Sequence, residues 1–267
     1  MNLKQTFGVA KPIIGMVHLP PLPSAPLYDA KGGMNKIIDS CAKDIEALQA
    51  GGVDCVMFGN EGDRPYLLKA SPVTLACMAF AIGELKSLIK VPFGVNYLWD
   101  PVATVSLAVA SGASFAREIF TGIYDSDMGL WAPDAATALR IRADCHRADL
   151  KLLFNINAEF ASPVGTRSIA QRARSAVFSS LADVVLVSGP MTGQPVEAAE
   201  LKLAKDALPD TPVFANTGVN IDNVTDVLKI ADGCVIGSHL KVDGNTWNNV
   251  DKARVKRFMD KVRKLRK

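Results

Sequence analysis

The chain alternates between two rhythms. Short apolar or β-branched runs recur at residues 12–18 (PIIGMVH), 53–59 (VDCVMFG), 92–97 (PFGVNY), 114–119 (SFAREI), 150–157 (LKLLFNIN), 183–188 (DVVLVS), 212–216 (PVFAN) and 232–237 (DGCVIG). Each is short enough for a strand buried on both faces. Between them lie stretches of helical period at 34–50, 73–89, 101–111, 134–148, 168–180, 196–207, 221–229 and 251–265. In the first of these, Ile37, Cys41, Ile45 and Leu48 form one apolar stripe. Gly51 and Gly52 follow its end, and Pro195 stands where a first helical residue belongs.

Eight strands, each followed by a helix, predict an α/β fold closed as a (β/α)8 TIM barrel, one domain over residues 1–267. A doubly wound open sheet is the alternative. It needs fewer strands or a second domain, and no G-x-G-x-x-G follows the first strand to hold a dinucleotide.

Alternation along each strand then points to the residues that reach the barrel mouth. If Ile14 and Met16 fill the lumen, His18 faces inward at the top. The same parity takes Val56 and Phe58 to Asn60, Gly94 to Asn96, and Leu153 to Asn155 and Asn157. It takes Val184 and Leu186 to Ser188, Phe214 to Asn216, and Cys234 and Ile236 to Ser238. In the fourth strand Arg117 and Glu118 are adjacent, and parity does not choose between them. One asparagine at a strand end starts a turn. Polar residues on the same face at the same end of so many strands describe a pocket on an apolar floor.

The loop that leaves His18, "LPPLPSAPL", carries four prolines, which stiffen one wall of that mouth. Three late loops are built differently: "SGPMTGQP" (188–195), "NTGVNIDN" (216–223) and "IGSHLKVDG" (236–244). Small residues there let backbone amides approach an anion, so Gly218, Gly237, Ser238, Ser188, Gly189 and Thr217 are the expected phosphate cradle. The ionisable groups His18, Glu61, Asp63, Arg64, Asp100, Arg117 and Glu118 belong to the opposite side. His18 is the expected acid/base. Asp63 or Asp100 would orient it, act as a second base or hold a divalent ion.

A Schiff-base mechanism finds no lysine at an inner strand top: Lys151 begins its strand and Lys241 follows the eighth strand outside the lumen. A histidine-rich metal centre is also disfavoured. His146 lies late in a helix, and His239 has outward parity. If a metal binds, oxygen ligands favour Mg²⁺ or Mn²⁺.

Composition narrows the class further. The net charge of +3 is too small to point to nucleic acid. Five cysteines without a C-x-x-C pair predict free, mostly buried thiols in the cytoplasm. The N-terminus lacks an apolar signal region, and no run of about 18 apolar residues spans a membrane. The last helix, "DKARVKRFMDKVRKLRK", has Val255, Phe258, Met259, Val262 and Leu265 on one face and basic residues elsewhere. It is expected to pack on the core; a membrane surface is the less favoured use. Self-association stays open.

The segments "KPIIGMVHLPPLPSAP", "GDRPY", "GVNYLWD" and "ADGCVIGSHLKVDGNTWNNVD" resemble the BtpA/SgcQ family over nearly the whole chain. "LFNIN" and "ANTG" are closer to its SgcQ branch. The photosynthetic branch tends to carry a Lys-His pair where this chain has Phe154 and Asn155, and the usual E-N-x-G-D here reads Gly59-Asn60-Glu61-Gly62-Asp63. His18, Asn60, Asp63, Asn96, Asp100, Ser188, Gly189, Gly218, Gly237 and Lys241 match family positions. The resemblance implies a TIM barrel similar to the ribulose-phosphate-binding group. It also implies two different classes of function, sugar-phosphate metabolism and photosystem I biogenesis at a membrane. The expected function is a lyase, isomerase or epimerase acting on a phosphorylated sugar or related small phosphometabolite. In that reading His18, Asp63, Asp100, Glu118 and Asn155 are catalytic. Asn60, Asn96, Arg117, Asn157, Ser188, Gly189, Asn216, Thr217, Gly218, Gly237 and Ser238 bind the substrate. The alternative is a non-catalytic assembly or regulatory barrel at a membrane periphery.

Overall fold

Strands without a solvent face can only be satisfied by closure, because helices cover one side and other strands' side chains the other. The computed structural model describes residues 1–266 and shows that solution. Its barrel strands are β1 (Ile13–His18), β2 (Cys55–Gly59), β3 (Phe93–Asn96), β4 (Phe115–Glu118), β5 (Lys151–Asn155), β6 (Val184–Val187), β7 (Val213–Ala215) and β8 (Gly233–Ile236). All pair in parallel with their chain neighbours, and β8 closes onto β1. The register places Ile14 beside both Cys55 and Val235.

The helices are α1 (Leu3–Phe7), α2 (Gly33–Gly51), α3 (Pro72–Leu85), α4 (Pro101–Ser111), α5 (Ala135–Asp144), α6 (Ile169–Phe178), α7 (Ala198–Ala207), α8 (Val224–Ile230) and α9 (Lys252–Leu265). From α2 onward each follows its strand. Gly52 ends α2 in the left-handed conformation (φ 91°), donating to the carbonyls of Leu48 and Gln49. Helix α7 starts three residues beyond Pro195, with Glu197 at its N-cap, so that proline is loop.

Inside the barrel lie Ile14, Met16, Cys55, Met57, Phe115, Leu153, Val184, Leu186, Phe214 and Val235. Phe7, from the short helix α1, closes the bottom, its ring 5.3 Å from Phe115 and 5.9 Å from Phe214. In β3 a Cβ at Gly94 would come within 2.1 Å of the Phe115 ring, so the glycine makes room for the larger lumen residue. Two strands are one residue out of phase with the sequence reading. In β2 the lumen residues are Cys55 and Met57, whereas Val56 and Phe58 pack under the helices; in β8 it is Val235, with Cys234 and Ile236 outside.

The chain adds a small antiparallel sheet of Tyr124–Ser126, Gly129–Trp131 and Ala161–Pro163, drawn from the loops after β4 and β5. It roofs a separate apolar cluster containing Trp99, Ile119, Tyr124, Trp131 and Ala158. In α9, Val255, Phe258, Met259 and Val262 are buried, and several of its basic residues are engaged. Arg254 Nε donates to the His239 carbonyl, Lys261 Nζ to the Ile221 carbonyl, and Arg266 pairs with Asp54. Its apolar face is therefore spent on the barrel. Among the described residues no helix is long and apolar enough to cross a membrane.

Candidate active site

A cavity of about 490 Å³ opens at the carboxyl end of the strands. Its floor is Met16 and Val235; above them stand His18, Glu61, Arg117, Glu118, Asn155 and Asn216. Each polar group is delivered by a strand end or by the loop just after it.

His18 ends β1 with its Nε2 3.5 Å from Glu61 Oε1. Burial holds the imidazole well below its usual pKa, and the positive charges of Lys241 and Arg117 push it lower still, so His18 is neutral at pH 7. Burial raises the Glu61 carboxyl to about 7, against the pull of Arg117 and Lys241. Glu118, also desolvated, rises to about 8, with Arg117 again opposing; its oxygens accept from the Ile119 amide and Asn96 Nδ2. Arg117 donates to Asn96 Oδ1 and lies 3.8 Å from Glu159, whose carboxyl burial also raises. One guanidinium therefore faces three carboxyls that hold protons more tightly than ordinary ones.

The unsatisfied polar atoms are concentrated here. Buried polar atoms in folded proteins nearly always have partners. Among the described residues, eight buried side-chain atoms have none, and six belong to cavity residues: His18 Nδ1, Glu61 Oε2, Trp99 Nε1, Arg117 Nε, Asn155 Oδ1 and Asn216 Oδ1. Asn155 and Asn216 are both fixed by donating to the single Ser188 hydroxyl, at 2.8 and 2.7 Å.

The late loops form the other wall. Thr217 and Gly218 both adopt positive φ (70° and 64°), and a Cβ on Gly218 would come within 2.1 Å of the Pro195 backbone nitrogen. Thr217 Oγ1 accepts from the Gly189 amide at 2.7 Å, tying the loop after β6 to that after β7. Ser238 and Thr246 share a hydroxyl hydrogen bond. Among the described residues, the amides of Gly218, Val219, Ser238 and His239 donate to no protein acceptor. Gly237 touches the imidazole: a Cβ there would meet His18 Cε1 at 2.9 Å.

The BtpA family model matches residues 9–264. This chain belongs to the BtpA family. It is 49% identical to the sgc region protein SgcQ of Escherichia coli K12 over 99% of both chains. It is 33% identical to the photosystem I biogenesis protein BtpA of Synechocystis, covering 97% of this chain and 91% of that one. The fold is shared with (S)-3-O-geranylgeranylglyceryl phosphate synthase of Thermoplasma acidophilum, with a TM-score of 0.61 at 13% identity over 98% and 97% of the two chains.

In this BtpA-family barrel the cavity gathers His18, Arg117, Glu118, Asn155, Asn216, Thr217, Gly218, Gly237 and Ser238 from the expected set. The others hydrogen-bond within the protein. Asp63 accepts from the Leu22 amide and from Asn60 Nδ2, fastening the proline-rich loop to the loop after β2. Asn60 points to the Leu98 amide, because the phase of β2 sends Glu61 to the cavity in its place. Asp100 caps α4 through the amides of Val102 and Ala103 and also accepts from Ala70. Neither aspartate reaches His18. Asn96 anchors Arg117 and Glu118 from behind; Asn157 pairs with the Ser188 backbone, and Ser188 and Gly189 brace their neighbours as described. His239, given outward parity by the sequence, lines the cavity and accepts from the Ile221 amide at 3.3 Å. Among the described residues no three His, Cys, Asp or Glu side chains come together as a metal site. Sequence reasoning missed Tyr66, Trp99, Glu159 and Phe160, all loop residues on the cavity wall, where no strand period marks direction.

Proposed function

We propose that this protein is an enzyme that moves a proton on a small phosphorylated sugar or related phosphometabolite, as a lyase, isomerase or epimerase. The observation that carries the reading is the cluster of cavity residues His18, Glu61, Arg117, Asn155 and Asn216, each with a buried polar atom that has no partner among the described residues, beside loops with free backbone amides. Such atoms are costly unless a ligand meets them. Amides at 218–219 and 238–239 receive the phosphoryl group, as late loops of such barrels do. Neutral His18 accepts a proton from substrate carbon or oxygen, and protonated Glu61 returns one, each being close to the charge state its task needs at pH 7. Arg117 stabilises the oxyanion that develops between the two transfers. Free thiols at all five cysteines suit the reducing cytoplasm. A peripheral-membrane assembly role would use the last helix, whose apolar face is already covered.

A thermal-shift screen of phosphorylated sugars, with and without Mg²⁺, tests the reading. A ligand at 100 times its dissociation constant adds roughly 2.7 kcal/mol of stability. Hits should exchange a carbon-bound hydrogen with D₂O, and His18→Ala should stop that exchange. If no phosphorylated sugar shifts the melting temperature and none occupies loops 217–219 and 237–239 in crystals, the reading fails.

A further inference from the structure

The cavity wall changes character around its rim. Its anion side comes from the loops after β6, β7 and β8. The opposite side comes from the loops after β2 to β5 and sets an aromatic and apolar patch of Tyr66, Leu98, Trp99, Ile119 and Phe160 beside the carboxyls of Glu61 and Glu159. In a closed eight-stranded barrel β3 stands across from β7, so these two sides face each other over His18, Glu61 and Arg117. Trp99 is 4% exposed, packed edge-on to Trp131 at 4.9 Å and 6.1 Å from Tyr66. Its indole Nε1 is one of the buried donors without a partner among the described residues. The Tyr66 hydroxyl is already committed to the Glu61 carbonyl at 3.1 Å, so Tyr66 offers the ligand its ring only. A bare sugar phosphate would cover the anion side and the polar floor while leaving this aromatic wall wet and the indole donor unused.

Resting on the phosphate reading above, we infer that the substrate is bipartite. Opposite its phosphoryl group it carries a flat heteroaromatic ring with a hydrogen-bond acceptor, as a nucleotide does. The ring lies against Tyr66, Trp99 and Phe160, and its acceptor receives a hydrogen bond from Trp99 Nε1. Flat rings stack well on aromatic side chains, and a buried donor discriminates strongly against ligands that leave it unmet. Tyr124 and Trp131, from the small sheet, pack in the same apolar cluster as this wall.

Calorimetric titration with inorganic phosphate, ribose 5-phosphate and the four common nucleoside 5′-monophosphates tests the inference on the intact protein. At least one monophosphate should bind ten times or more tighter than ribose 5-phosphate and change the fluorescence of the buried tryptophans. Trp99→Phe keeps a ring but removes the donor. It should weaken that monophosphate more than ribose 5-phosphate. If ribose 5-phosphate binds and no monophosphate is tighter, the bipartite inference is overturned and the phosphate reading stands. If neither phosphate nor any sugar phosphate binds, the phosphate reading itself falls and takes the inference with it. A monophosphate advantage that survives unchanged in Trp99→Phe also overturns it.

Discussion

The imidazole of His18 and the carboxyl of Glu61 meet 3.5 Å apart inside the barrel mouth, and burial drives each toward its uncharged form. The two shifts have opposite consequences for stability. Glu61 holds its proton in the folded state up to about pH 7 instead of 4.5. Its contribution is therefore full below pH 4.5 and is lost as pH rises through 7, by up to about 3 kcal/mol. His18 is held neutral in the folded state. Its contribution is present above pH 6.5 and is lost as pH falls.

Glu61→Gln removes the first of these dependences. Relative to wild type, the variant should gain up to about 3 kcal/mol between pH 4.5 and pH 8, read from urea unfolding at each pH. Parallel stability curves for the two proteins would show that Glu61 titrates as an ordinary carboxyl. With a turned-over substrate, the variant should lose turnover at every pH, because the amide cannot return the proton.

Gly237 lies against the imidazole, and an added methyl would sit 2.9 Å from Cε1 and 3.1 Å from Nε2 of His18. Gly237 has φ −120°, outside the left-handed region, and an added methyl meets the imidazole directly, so Gly237→Ala should displace the ring. The expected cost is about 1–3 kcal/mol in stability. Solvent exchange on a bound substrate should fall about 100-fold, since small misplacements of a reacting group are expensive. The chain has three histidines, so the His18 ring resonance can be followed directly by NMR. A variant with an unmoved His18 signal and full exchange activity would refute the contact.

The strands were legible because each is a short apolar run between helical stretches, and all eight lie within the expected segments. What alternation could not resolve was phase. Every residue of β2 and β8 is buried, with helices on one face and lumen on the other, so neither parity is marked by a polar side. The error moved Asn60 into the expected site in place of Glu61, and Ser238 to a strand phase that Gly237 occupies. The aspartates pose a different difficulty. Asp63 and Asp100 look ionisable in sequence, yet each is consumed by backbone amides that only the folded loops bring near. The roofing sheet and the plug Phe7 left no periodic trace, being elements of three and five residues.

Thr217 is a β-branched residue at φ 70°, next to Gly218 at φ 64°. Such a conformation is strained, and here it is held by the Gly189 amide bonded to the Thr217 hydroxyl. Thr217→Gly trades relief of strain against loss of that bond and should change stability by less than about 1 kcal/mol. Phosphate affinity should nevertheless fall several-fold, because the two loops are no longer tied. Gly218→Ala meets both positive φ and the Pro195 backbone, and should cost roughly 1–3 kcal/mol. Thermal melts and phosphate titrations distinguish the two variants; equal phosphate affinity in wild type and Thr217→Gly would detach the tie from binding.

Lys241 and Asp44 form an ion pair at 2.7 Å with both side chains 2% exposed, joining the segment after β8 to α2. Asp44 also accepts from Asn249 Nδ2 and the Val250 amide, bonds that do not depend on the lysine. Lys241→Met leaves the buried Asp44 carboxyl without its cation and should cost about 3–5 kcal/mol, whereas Asp44→Asn combined with Lys241→Met should recover part of that loss. The pair also acts at a distance on the site. After burial, the Lys241 charge is the largest influence holding His18 below its usual pKa. In the double variant the His18 pKa should rise toward 6.5, opening an acid limb at higher pH than in wild type. Titration of the three histidines by NMR gives the answer: an unmoved His18 would mean that burial alone keeps the imidazole neutral, and that the charge beside α2 has only a structural role.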